Sequence, residues 1–323
     1  MIFQEEEQHI EIEMNFDLSN KFKYFGIWPV APTPFNDDGS VDYDGMKRVI
    51  DCIIDQKVDG VCILANFSEQ FLLTDDERFK LTNLCLEHIN GRIKSIVTIS
   101  HFATDIVYER ARLAKSLGAN VVMMMPPYHG ALLKGNQDQI YKQFSKVSEI
   151  GVPIMIQDAP LSGIELPVSF LTKMINEIEN LTCFKIESAQ AASKIRQLIL
   201  NCKDNLDAPF DGEESITLLA DLYAGITGSM SSALLPDKIR PVIIDFLNDK
   251  KKEAGEKYNN ILPLINFENR QCGFQATKII MKEGGVINSA FCRHPIKILD
   301  DHTKNLLISI AKDYDLVSMN WGK

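Results

Sequence analysis

The sequence predicts a (β/α)8 barrel with additional helices at its C-terminal end. Three observations carry that prediction. Eight short β-rich runs alternate with amphipathic helical patterns along the first two-thirds of the chain. The runs are mostly continuous apolar stretches, as strands covered on both faces must be. The glycine-rich GxGxxG turn of an open doubly wound sheet is missing after the first run, WPVAPTPF. A length of 323 residues suits one such barrel.

Taken in order, the runs are GIWPVAP (26–32), GVCILAN (60–66), SIVTIS (95–100), NVVMMMP (120–126), PIMIQDA (153–159), CFKIES (183–188), LDAPFDG (206–212) and GITGSMS (225–231). Between them, Met46, Val49, Ile50, Ile53 and Ile54 form a helical stripe at i, i+3, i+4, i+7 and i+8. Thr74 to Glu77, TDDE, has the spacing of a capping box. Val107, Ala111, Ala114 and Leu117 make a second stripe that Gly118 stops, and Ile140, Phe144 and Val147 a third that Gly151 stops. The run Met123–Met125 reads as core. Beyond the eighth run the pattern is purely helical. The expected organisation is an N-terminal arm over 1–24, frayed or used as an oligomer contact, a barrel over 25–235, and helices over 236–323 that pack on the barrel.

Composition narrows the function classes. The chain is 45% hydrophobic and 24% charged, with a net charge of −10 and a pI near 5.2. An acidic surface disfavours a phosphate backbone, so no nucleic-acid partner is expected. No apolar run approaches the roughly 20 residues that span a bilayer, so no membrane partner is expected either. Seven cysteines, an odd number without a CxxC pair, fit reduced thiols in a cytoplasmic protein better than a disulfide framework or a zinc site. The acidic start, MIFQEEEQHIEIEMNFD, does not read as a signal peptide. The histidines lack HxxxH or HExxH spacing, and no metal site is expected.

The sixth run holds the most informative residue. Along LTCFKIES, Cys183, Lys185 and Glu187 share one face, while Phe184 and Ile186 fill the other. In a barrel the first face points inward, towards the C-terminal end where functional groups gather. Burial alone would lower the lysine pKa and leave an amine able to attack a ketone. From spacing alone two readings stand level: a nucleophilic lysine, or a structural ion pair between Lys185 and Glu187.

Other strand ends add groups, each with a plainer explanation. The second run ends in Asn66, Phe67, Ser68 and Glu69, where Glu69 also suits a helix cap. The fourth leads to Tyr128 and His129, the latter an ordinary loop histidine in the plainer view. Gln157 and Asp158 end the fifth. Asp211, Glu213 and Glu214 follow the seventh, where acids favour a helix start through its dipole. Convergence of a phenol, an amine and several carboxyls on one barrel mouth favours a site.

These residues resemble a known family. APTPFNDDGSVDYDGM, LLTDDER, the lysine of FKIES and GITGSMSS are similar to the dihydrodipicolinate synthase / N-acetylneuraminate lyase family of Schiff-base-forming barrels. The resemblance runs from about residue 24 into the C-terminal helices. It implies that Lys185 forms an imine with a 2-keto acid. Departures are specific. The family's Gly-Thr-Thr-Gly-Glu is Ala65-Asn66-Phe67-Ser68-Glu69 here, and its Tyr-Asn-x-Pro is Gln157-Asp158-Ala159-Pro160. The synthase's two relay tyrosines and its threonine fall on Gln157, His129 and Asn66.

The segments ILANFSEQFLL, MMPPYHG, IMIQDAP, DGEESITLLADL and INFENRQ are similar to a sugar-acid dehydratase branch of that family, acting on 2-keto-3-deoxy-L-arabonate. The resemblance implies a lyase that needs no cofactor or metal, with Tyr128 assisting imine formation. Glu187 and Glu214 would act on the leaving hydroxyl, with Glu213 as reserve. The turn at Phe67 and Ser68, including the Ser68 hydroxyl, would hold the substrate carboxylate. Asn66, His129 and Gln157 would be further contacts. A homo-oligomer, dimer or tetramer, is the implied assembly. A pyruvate-releasing aldolase, a dehydratase of a six-carbon acid and a non-catalytic barrel scaffold are the alternatives.

Overall fold

The computed structural model describes residues 18–129, 133–159, 163–164 and 166–323, with backbone alone at 129, 133, 134 and 203. Most of the expected N-terminal arm lies outside this set. Within it, the eight runs become eight parallel strands: β1 (Gly26–Ile27), β2 (Gly60–Ile63), β3 (Lys94–Thr98), β4 (Val121–Met124), β5 (Ile154–Asp158), β6 (Leu181–Ile186), β7 (Ala208–Asp211) and β8 (Gly228–Ser229). From β2 to β8 each pairs with the next in sequence, and β8 pairs with β1. Val30 bridges both Cys62 and Ser232, which closes the ring between β1 and β2. The expected (β/α)8 barrel is the observed fold.

The connecting helices are α1 (Tyr43–Asp55), α2 (Asp75–Ile89), α3 (Thr104–Ser116), α4 (Gln137–Ser148), α5 (Val168–Glu177), α6 (Ala191–Cys202) and α7 (Leu218–Ala224). Their starts follow the sequence chemistry. Asp42 accepts from the Gly45 N–H at 2.8 Å, and Thr74 and Glu77 cap α2 reciprocally. A short hairpin pairs Tyr128–His129 with Leu133–Lys134 just beyond β4.

Strand alternation sorts side chains into two cores. Inside the barrel, Trp28, Met123, Met155, Cys183 and Phe210 pack together, with Tyr24 set edge-on against Trp28 at 5.6 Å. Between strands and helices, Phe184 and Ile186 join Ile195, Leu198 and the apolar stripe of α1. The inward assignment of Cys183 and Lys185 thus holds. All seven cysteines are buried free thiols, and among the described residues no helix is long and apolar enough to cross a membrane.

The chain ends in α8 (Pro236–Leu247), α9 (Lys251–Phe267), a π-helix (Glu268–Cys272), α10 (Gln275–Glu283), α11 (Asp301–Lys312) and α12 (Val317–Asn320). A fully buried ion pair ties them to the barrel: Lys278 of α10 contacts Glu69 beyond β2, both side chains at 0% exposure. Lys278 also donates to Phe291 O at 3.0 Å and sits over the Phe35 ring. Glu69 accepts from the Arg293 N–H at 3.1 Å, and the Arg293 guanidinium grips Glu77, Leu72 O and Gly39 O. Removing one partner of such a pair strands a buried charge. Lys278→Met should therefore lower unfolding free energy by about 3–5 kcal/mol, read by chemical denaturation, whereas removing an exposed pair such as Lys80–Asp76 should leave it nearly unchanged.

Candidate active site

At the C-terminal mouth of the barrel lies a cavity of about 560 Å³, walled by β2, β5, β6 and β7 ends and by the π-helix. Lys185 rises from its floor and is 3% exposed. Strand register places Lys185 level with Gln157 on one side and Phe210 on the other. The Lys185 Nζ contacts Glu187 Oε1 and stands 3.6 Å from Glu214 Oε1. Gln157 Nε2 donates to the same Glu187 oxygen at 2.6 Å, while the Glu187 N–H donates to Asp158 O at 2.9 Å. Asp158 itself faces outward, paired with Lys194 at 2.5 Å.

The charge state of this group corrects one expectation. Burial does push the Lys185 ammonium towards neutrality, and it is the largest single influence. The charges of Glu187 and Glu214, with the Glu187 hydrogen bond, outweigh it and hold the lysine above its ordinary range. Sequence spacing had shown the burial but not the number of carboxyls facing the amine. Glu214 is raised as well, but by burial. Burial first, partly opposed by Lys185 and reinforced by Glu187 and Glu268, raises it to about 8. At neutral pH these shifts favour the ammonium form of Lys185 and the acid form of Glu214.

Residues 23–314 match the model of the dihydrodipicolinate synthetase family. The chain belongs to that family. It is 48% identical over 301 residues to the L-2-keto-3-deoxyarabonate dehydratase of Azospirillum brasilense, a match covering 93% of this chain and 97% of that one. It is 27% identical over 237 residues to the 4-hydroxy-tetrahydrodipicolinate synthase of Oceanobacillus iheyensis, covering 72% and 78%. Among solved structures, the dihydrodipicolinate synthase of Aquifex aeolicus superposes with a TM-score of 0.82 at 23% identity, covering 91% of this chain and 99% of that one. The chain is an enzyme of the family, a lyase.

Against that family background the sequence-derived residues divide. Lys185, Glu187, Glu213, Glu214, Gln157, Asn66 and Phe67 all line the cavity. Ser68 lies beneath it: its hydroxyl donates to Ala31 O at 2.6 Å and accepts from the Ala65 N–H at 3.1 Å, and its own N–H bonds Ala65 O. The expected grip of that hydroxyl on a substrate carboxylate is already occupied by the turn. Tyr128 stands apart, in an adjoining cavity with Phe71, His101 and Arg110, its ring edge-on to Phe71 at 6.2 Å. Burial raises its phenol, but it does not line the cavity that holds Lys185. His129 sits on the hairpin, and its side chain is outside the described atoms.

Sequence reasoning missed the far wall. Asn269, Arg270, Gly273 and Phe274, on and just after the π-helix, line the cavity, and Phe274 stacks edge-on against Phe67 at 6.0 Å. These residues follow no strand, so the rule of strand ends does not reach them. A π-turn within a helix is the geometry that re-aims such side chains. Glu268 on the same turn is buried and raised to about 7 by that burial.

Gly212 sets the closeness of the carboxyl cluster. A Cβ there would lie 2.6 Å from Glu187 Cγ and 2.8 Å from Lys185 Cγ. Gly212→Ala should thus displace both side chains and destabilise the fold by about 1–3 kcal/mol, measured as a lower denaturation midpoint.

Proposed function

We propose that this enzyme dehydrates 2-keto-3-deoxy-L-arabonate to α-ketoglutaric semialdehyde through a Schiff base on Lys185. One observation carries the reading: a buried amine flanked by two carboxyls, Glu187 hydrogen-bonded to the lysine and to Gln157, and Glu214 3.6 Å away on the other side, where burial raises it to about 8. The relative in Azospirillum brasilense supports the choice of substrate.

The 2-keto acid enters the cavity with its carboxylate at the Asn66–Phe67 turn and Arg270 at the mouth drawing in the anion. Glu187 takes a proton from Lys185, and the neutral amine adds to C2. Glu187 returns that proton to the departing hydroxyl, and loss of water gives an iminium that occupies the place of the original ammonium. Glu187 then removes a C3 proton, leaving a neutral enamine. The enamine expels the C4 hydroxyl as the Glu214 acid protonates it, and water departs. C5 and its hydroxyl each give up a proton and C3 and C4 each gain one, which turns the C5 hydroxymethyl group into the aldehyde. Water hydrolyses the imine and frees Lys185. Glu213 and Asn269 face the distal hydroxyls from the cavity wall.

The protonation of Glu214 also favours dehydration over aldol cleavage. Cleavage of C3–C4 begins with a base taking the C4 hydroxyl proton, whereas dehydration needs an acid giving it one. A cytoplasmic homo-oligomer, with the exposed Phe71 and Phe79 available for contact, belongs to the same proposal.

Incubation with the substrate and mass identification of the product test the reading. The expected product is the substrate minus water, and released pyruvate would sink the dehydratase assignment. Borohydride with a 2-keto acid should attach an adduct at Lys185, and Lys185→Ala should abolish both adduct and turnover. The pH profile tests Glu214. It is raised to about 8, so the acid is present below that pH and lost above it. The profile of kcat/KM should therefore fall as pH rises through about 8. Glu214→Gln should erase that limb and lower kcat/KM by about 10²–10⁴-fold.

A further inference from the structure

We infer that Asp211 is a positioning residue for Glu214, an inference that rests on the dehydratase reading. Asp211 ends β7, is fully buried and does not line the cavity. Its role must therefore pass through what it holds. One carboxylate oxygen accepts from the Glu213 N–H at 2.9 Å. The other accepts from the Ser215 N–H at 3.0 Å and from the Ser229 hydroxyl at 2.6 Å. These two backbone donors bracket Glu214 on either side.

The bracket is needed because the turn is strained. Glu214 has φ 52° and Ser215 φ 67°, two successive side-chain-bearing residues in the left-handed region. Such residues persist only where their surroundings over-determine them, and they gather where a side chain must be aimed. Here the aim is the Lys185 amine, 3.6 Å from Glu214 Oε1. Further ties hold the same turn. Ser215 Oγ pairs with Ser229 Oγ at 2.8 Å, and the Tyr258 hydroxyl of α9 donates to Ser215 O at 3.1 Å and to Ile216 O.

Behind Asp211 lies Asp221 of α7, whose carboxyl accepts from the Thr217 hydroxyl at 2.6 Å. Burial first, then the Asp211 charge, raises it to about 7. Burial also raises Asp211, opposed by the three donors that converge on it and by the Lys185 charge. Those donors fix its oxygens as acceptors for the turn. The other groups acting on Glu214 are Lys185 and Glu187 from β6 and its end, Glu268 from the π-helix and the Cys62 thiol from β2. None of these holds the backbone of the turn.

Asp211→Asn tests the assignment, because its amide points a donor at groups that also donate. With pyruvate and borohydride, the folded variant should still form the Lys185 adduct to the wild-type extent. Dehydration should fall about 10–100-fold, chiefly in kcat, and the basic limb of the pH profile should move from its wild-type position. Ser229→Ala removes a single hydroxyl from the same carboxylate and should shift both readouts in the same direction by less. That variant decides the matter if Asp211→Asn does not fold. Wild-type turnover and an unmoved basic limb in the folded Asp211→Asn, or in Ser229→Ala where it must decide, would overturn the inference. So would loss of the adduct along with turnover, since the damage would then reach the amine itself. A wild type that traps the keto acid without dehydrating its substrate would sink the functional reading and this inference with it, whereas an active wild type beside an unaffected variant sinks the inference alone.

Discussion

A lysine at 3% exposure on the floor of a barrel must be paired, because an isolated ammonium in a dry interior is far too costly to keep. The rest of the site follows from how that requirement is met. Glu187 supplies the compensating charge by direct contact, and Gln157 supports it through the same oxygen. Glu214 then approaches an amine whose charge is already neutralised. A second full negative charge would leave the cluster with a net charge in a buried place, so the cheaper state is the protonated one. The raised lysine and the raised glutamate are one electrostatic fact seen from two sides.

Such an arrangement works only if the loops carrying it are held still, and the chain does so with further buried charge. The Glu69–Lys278 pair anchors the turn that bears Asn66 and Phe67 to helix α10. Arg293 fastens the same region to Glu77 and Gly39. Phe274 lies against Phe67 from the C-terminal side. The helices after the barrel are therefore part of the site's wall. A barrel cut before them would lose Asn269 and Arg270 as well as the support beneath Phe67.

Much of this was legible in the sequence, for reasons that also mark where legibility stopped. Strands covered on both faces write themselves as apolar runs, so all eight appeared in order. Alternation along 183–187 placed Lys185 and Glu187 inward without any coordinates. Three things were not local. The charges that hold the lysine's pKa up against burial come first from Glu187 and then from Glu214, which follows β7, 29 residues along by numbering. The position of Tyr128 depends on the hairpin beyond β4, which carries it to the adjoining cavity. The Ser68 hydroxyl is satisfied by Ala31 from another strand end, a partner no spacing rule reveals. The wall formed by Asn269 and Arg270 came from a helix whose periodicity spoke only of packing.

The family resemblance posed a further question: how a barrel manages proton transfers when the positions of the synthase's relay groups hold Asn66, His129 and Gln157. In the reaction we propose, the charge of the cluster answers it. At rest the ammonium, the Glu187 carboxylate and the Glu214 acid sum to zero. The iminium replaces the ammonium without changing that sum. When Glu187 takes the C3 proton, the iminium becomes a neutral enamine and all three groups are neutral. When the hydroxyl leaves with the Glu214 proton, a cationic iminium reappears beside a Glu214 carboxylate, and the sum is zero again. The transfers that make the aldehyde restore both carboxyls to their starting states, a proton of the C5 hydroxymethyl group replacing the one that left with water. No step asks the dry floor of the barrel to hold a net charge, which is the condition under which electrostatic preorganisation is most effective. A relay of hydroxyls moves a proton between distant groups. Two carboxyls that flank one buried amine, Glu214 among them raised by burial, would supply an acid and a base where the proposed reaction uses each.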